Sequence, residues 1–167
     1  MEEYIKLLED ILKMKIDLRF GELKGTKMGE ADVLNGAITL NKNNDNFTNL
    51  FSLAHEARHI YQYEYDRQNY DYENYIDGKD GMNQKVEMDA NAFAYFVCRD
   101  IFGLAPTIGL DKYDGFILLY DNIKKQYQDI KIDRKTINKI LDVFGLPNID
   151  QRKFESPFIK TCHIISR

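Results

Sequence analysis

Residues 2–15 place Tyr4, Ile5, Leu8, Ile11 and Leu12 at intervals of three and four, the spacing that gives a helix one apolar face. Residues 16–20 (IDLRF) then alternate apolar and polar, which suits a half-buried strand. The stretch up to Asn41 is broken by Gly21, Gly25, Gly29 and Gly36, so it reads as short strands joined by turns, with AITL as the best strand core. NKNNDN (41–46) is a loop ending in helix-capping chemistry, and a helix follows over 47–65. Residues 66–83 are polar and rich in tyrosine, and read as a loop or lid. A second strong helix covers 84–102 and stops at Gly103, with Pro106 soon after. Two further helices are predicted over 112–128 and 133–144, and the tail FIKTCHII suits a terminal strand. No internal repeat or heptad array is visible.

The pattern predicts an α+β domain, with a small, mostly antiparallel sheet packed on helices and a mainly helical C-terminal half. The 167 residues suffice for one domain with its own core. A composition shift over 103–111 suggests a division into a core of 1–105 and a helical extension of 106–167, or a single domain of 1–167. No run approaches the length of a membrane-spanning helix. The first residues, MEEYIKLLED, carry acids where an export signal needs a basic region. Cys98 and Cys162 lie far apart and match no metal or disulfide framework. These features predict a cytoplasmic protein without a membrane partner.

Net charge is −4, which gives no global pull towards nucleic acid. Its distribution is uneven. Residues 45–100 carry eleven acids against five Lys and Arg, whereas 112–167 carry eleven Lys and Arg against seven acids. Excess carboxylates in the first block favour a bound cation, and that block holds the chemistry.

The segment LFSLAHEARHIYQ contains His55-Glu56-Ala57-Arg58-His59. On a helix, His55 and His59 project from one face a turn apart, so both imidazoles can reach one Zn²⁺. Glu56, next to the first histidine, is placed as general base towards an attacking water whose acidity the metal raises. A catalytic zinc needs a third protein ligand and an open position. Glu87, near the start of the second helix, is the expected ligand, with Asp89 as rival. Ala90 and Ala94 would let the two helices approach closely. Asn91, one turn after Glu87, could orient a ligand histidine through a hydrogen bond. Arg58 faces away from the ligands and is expected to pair with an acid such as Glu64 or Asp89.

The run ITLNKNNDNFTNLFSLAHEARHIYQ followed by EMDANAFAYFV resembles the ImmA/IrrE-type zinc metallopeptidases, compact gluzincin-like proteins of bacteria, mobile elements and phages. The resemblance covers about residues 30–100. It rests on Ile38 to Asn41, on His55, Glu56 and His59, and on Glu87, Ala90, Asn91, Phe93 and Ala94. It implies a zincin-like fold, zinc held by His55, His59 and Glu87, and Glu56 as general base. It further implies hydrolysis of a peptide bond in a protein or peptide substrate such as a cytoplasmic repressor or regulator. The chain departs from the family's usual pattern at Arg58, where the family has glycine.

Peptide hydrolysis develops an oxyanion that needs a donor. His163 and Tyr63 are the candidates, and Tyr65, Tyr70, Tyr72 and Tyr75 are also near in sequence. The alternative to a peptidase is a weak or inactive zincin scaffold that binds protein through its tyrosine-rich loop, or a DNA-associated regulator using the basic C-terminal helices.

Overall fold

The computed structural model describes residues 1–70, 72–75, 84–104, 106 and 115–148. The first helix, α1 (Glu2–Leu12), buries Tyr4, Leu8, Ile11 and Leu12 of the expected apolar face, with Leu7 buried beside them and Ile5 only partly so. Three strands follow: β1 (Asp17–Gly21), β2 (Gly29–Asp32) and β3 (Ala37–Asn41). The long α2 (Asn46–Tyr65) comes next, then α3 (Lys85–Phe96), α4 (Phe116–Gln126) and α5 (Arg134–Val143). The α+β class predicted from the hydrophobic pattern is the one observed.

The sheet differs from expectation in one respect. Its order is β1-β3-β2, with β3 antiparallel to β2 and parallel to β1, so it is mixed and not mostly antiparallel. The cause lies in the connection between β1 and β2. That segment passes over the end of β3, where Asn41 donates its backbone N–H to Met28 and its side-chain amide to Lys27. The Lys42 N–H reaches Gly21 at the same place. β2 therefore lands on the far side of β3, and a short hairpin returns the chain alongside β1. The chain runs up, down and up through β1, β2 and β3, and with β3 in the middle the first and third strands pair in parallel.

β3 buries Ala37, Ile38 and Leu40. Beside it α2 is enclosed around much of its circumference, with Leu50, Leu53, Ala54, Ala57 and Ile60 all buried. Such a helix cannot be a surface element; it is the axis on which the sheet and α3 pack. Ala90 and Ala94 of α3 are fully buried, as close helix approach requires. One hydrophobic cluster runs from Tyr4 through α2 and α3 to Ile123, Ile140 and Phe144, so α4 and α5 share the core of the N-terminal half.

The second strong helix is not α-helical to its end. After Phe96 it widens into a π turn, Val97–Ile101, in which the Phe102 N–H reaches back to the Val97 carbonyl. Val97, Cys98, Ile101 and Phe102 are all buried there. Cys98 is a free thiol whose pKa burial pushes well up, which makes it an inert small hydrophobe. Cys162, His163 and the predicted terminal strand lie outside the described residues. Among the described residues no helix is long and apolar enough to cross a membrane.

Candidate metal centre

Asp45 caps α2, accepting the Thr48 N–H at 2.7 Å, and sets the phase of the helix. Ten and fourteen residues further on, His55 and His59 leave the same face. Their Nε2 atoms lie 3.0 Å apart. Glu87, in the first turn of α3, brings its carboxylate oxygens to 3.3 Å from His55 Nε2 and 3.4 Å from His59 Nε2. The three residues can offer ligand atoms that all lie within 4.8 Å of one another.

These separations fit one divalent ion. Two ligands bound at about 2.05 Å and a tetrahedral angle stand roughly 3.3 Å apart. The donor chemistry agrees. Two imidazole nitrogens and a carboxylate converge, all of them lone-pair donors, and only a cation or a proton between them relieves the arrangement. Burial works against charge on His59, yet the Glu87 hydrogen bond and the Glu56 charge outweigh it and raise its pKa. Burial likewise opposes charge on Glu87, and the hydrogen bonds from His55 and His59 hold its carboxyl far below the usual carboxylate range. His55, His59 and Glu87 thus form a group close enough to hold a metal ion. Of the predicted third ligands, Glu87 joins the histidines and Asp89 does not.

Asp89 faces the other way, into a buried ion pair with Arg58. The guanidinium Nε donates to Asp89 Oδ2 at 2.7 Å, and a second nitrogen approaches Oδ1 at 3.3 Å. The remaining nitrogen donates to the Tyr127 hydroxyl at 2.8 Å, and the Tyr61 ring lies against the cation. Burial disfavours the charge on Arg58, and Asp89 more than offsets it, so the guanidinium holds its proton more firmly than a free arginine. Of the partners expected for Arg58, Asp89 is the one it takes.

The hydrogen bond on His59 comes from a residue the sequence reading overlooked. His59 Nδ1 lies 3.0 Å from Gln62 Oε1. Asn91, expected in that orienting role, makes no hydrogen bond to either histidine among the described residues. His55 Nδ1 is buried without a partner there. The signal for Gln62 was present: it stands three residues after His59, on the same helix face.

Glu56 is buried and adjoins the cluster. Its neighbour across the gap is Gly29, the first residue of the edge strand β2. A Cβ on Gly29 would come within 2.8 Å of Glu56 Cγ and 2.9 Å of Oε1. The glycine read from sequence as a strand breaker is therefore the wall of the Glu56 pocket. Asn44 fixes this approach by donating to the Met28 carbonyl at 2.7 Å, just before β2 begins.

Among the tyrosines, Tyr75 reaches the cluster, donating its hydroxyl to Glu87 Oε1 at 2.7 Å. Tyr63, one of the two candidate donors, instead stacks edge-on against Tyr72 beneath the Arg67 guanidinium and makes no hydrogen bond to the cluster among the described residues. Nothing in helical spacing points to Tyr75, because it lies in the irregular segment between α2 and α3.

Comparison of the chain with protein-family models, with curated proteins and with solved structures finds no match.

Proposed function

We propose that this protein is a zinc-dependent metallopeptidase of the ImmA/IrrE type, hydrolysing a peptide bond in a cytoplasmic regulatory protein. The observation that carries the reading is the convergence of both histidine Nε2 atoms and the Glu87 carboxylate beside Glu56. A His₂Glu donor set suits zinc among the available divalent metals. When bound, zinc would supply Lewis acidity towards the scissile carbonyl and towards the attacking water.

The chain's own residues account for the rest. Glu56 takes the proton of the attacking water and delivers it to the leaving amine. The low-accessibility pocket walled by Gly29 limits where that carboxylate can swing. β2 is an edge strand that runs past Glu56, and its unpaired backbone groups can take up an extended peptide by strand addition. Tyr75, bonded to Glu87, can offer its hydroxyl to a developing oxyanion.

Elemental analysis of the purified protein tests the metal. Near-stoichiometric zinc is expected, lost in both His55→Ala and Glu87→Ala. Glu56→Gln should retain the metal and lower cleavage of an unfolded protein such as casein by about 10²–10⁴-fold, the usual contribution of a general base. A wild-type chain without metal after zinc is supplied removes the reading. Cleavage undiminished in Glu56→Gln removes the mechanism alone.

A further inference from the structure

A neutral imidazole carries one proton, and only the other nitrogen can bind a metal. For His59 the nitrogen facing the cluster is Nε2, so the proton has to reside on Nδ1. Free imidazole side chains have no such obligation, and the protein has to impose it.

The surroundings of Gln62 do so. Its Nε2 donates to the Val86 carbonyl at 2.9 Å and to Asp89 Oδ2 at 2.8 Å. Both neighbours only accept, the second because it is a carboxylate ion-paired to Arg58. A flipped amide would set Oε1 against two acceptors, so the orientation is fixed by chemistry. Oε1 is then left pointing at His59 Nδ1, 3.0 Å away, where it can only receive a proton. The Tyr72 hydroxyl also lies 3.0 Å from Oε1 and can donate to it. Gln62 is fully buried and Arg58 and Asp89 nearly so, which keeps water from substituting for any member.

We propose that Gln62, locked by the Asp89–Arg58 ion pair, is a positioning residue. It fixes His59 with its proton on Nδ1 and thereby sets the affinity of the His55–His59–Glu87 cluster for a metal ion. The proposal rests on the metal-site reading above. Arg58 thus acts on the metal through three side chains in series, without touching a ligand.

Two measurements on the full chain decide it. The first is the ¹⁵N NMR signature of the neutral His59 ring in metal-free Glu87→Ala protein, which lacks the carboxylate that competes for a proton on Nε2. The second is zinc affinity by competition with a chromophoric chelator. In that background, with Gln62 intact, the ring should carry its proton on Nδ1. Gln62→Met should show a tautomer mixture and bind zinc about 10–100-fold more weakly, the usual effect of losing a partner to a ligand histidine. Asp89→Asn, which touches no ligand, should shift both readouts in the same direction, because an amide there can face Gln62 with either group. Tyr4→Phe removes the buried hydrogen bond from Tyr4 to the Leu50 carbonyl, remote from this network. It should lower the Tm while leaving tautomer and affinity unchanged. A His59 protonated on Nε2 in Glu87→Ala with Gln62 intact, or wild-type zinc affinity in Gln62→Met, overturns the role of Gln62. A wild-type chain that binds no zinc overturns the metal reading instead.

Discussion

Glu56 has a backbone for a wall. Because Gly29 presents no side chain, the carboxylate can lie against β2, and a methyl group there would stand 2.8 Å from Glu56 Cγ. That carbon is not the free end of the side chain, so the whole carboxylate has to turn aside. If the chain is the zinc peptidase proposed, Gly29→Ala should retain zinc and lower peptidase activity by roughly 10²-fold, the size of effect that an ångström of misplacement brings. Activity assayed beside metal content checks this, and joint loss of metal and activity would count against a specific effect on Glu56. The contrast between Gly29 and the histidines explains what the sequence could reveal. His55, Glu56 and His59 are adjacent on one helix, where spacing fixes direction. Glu87 followed from the need for a carboxylate on a second helix. Gly29 lies 27 residues before Glu56, Tyr75 lies in an irregular segment, and each meets the site through tertiary contacts that no local period encodes. Gln62 was legible at three residues from His59, and Asn91 drew attention because it stands one turn from Glu87.

At the scale of elements, the capping residues give α2 and α5 a shared pH dependence. Asp45 accepts the Thr48 N–H, and Asp133 accepts the Thr136 N–H at 2.9 Å. For Asp45 the Thr48 N–H is the main cause of a lowered carboxyl pKa, and for Asp133 it is the Thr136 side chain, followed by its N–H. A carboxyl depressed by folding contributes stability above its unfolded value, 3.8, and loses it as the pH falls through the lower folded value. The Tm should accordingly drop as the pH falls below about 4. Asparagine caps about as well as aspartate but has no proton to take up. Asp45→Asn should therefore match wild type near neutrality and lose less on acidification, whereas Asp45→Ala should cost ~1 kcal/mol at neutral pH. Thermal melts of the three proteins across that range decide it. Elements of this kind were the most legible part of the fold: α1, α2 and α5 fall within a few residues of the helices that apolar spacing predicts. The π turn after Phe96 was not, since it continues the same apolar run and differs only in how the backbone closes. The parallel pairing of β1 and β3 was also hidden, because strand order depends on which side of β3 the glycine-rich connection passes.

For the whole molecule, the His55–His59–Glu87 cluster sits on the seam between α2 and α3, which buried polar contacts already tie together. Arg58–Asp89 and Gln62–Val86 both cross that seam, and Tyr127 extends the network to the end of α4. Removing Asp89 would leave a guanidinium without its counter-charge in a site with almost no access to water, a loss of about 3–5 kcal/mol. A metal ion held by the cluster would add a further cross-link, since two ligands would come from α2 and one from α3. The unfolded chain scatters those three residues, so such an ion would bind the folded state in preference and stabilise it by mass action. At a free zinc concentration of ~100 times Kd the gain is about 2.7 kcal/mol. For a chain of this size that corresponds to a rise in Tm of roughly 5–10 °C. Glu87→Ala removes one side of the clamp and should lose the rise, while Glu56→Gln keeps all three ligands and should retain it. Paired melts with zinc and with a chelator separate the two cases. A Tm that zinc leaves unmoved in the wild type would mean that the cluster is not a metal clamp, and that apolar packing and the polar seam hold α2 to α3 without it.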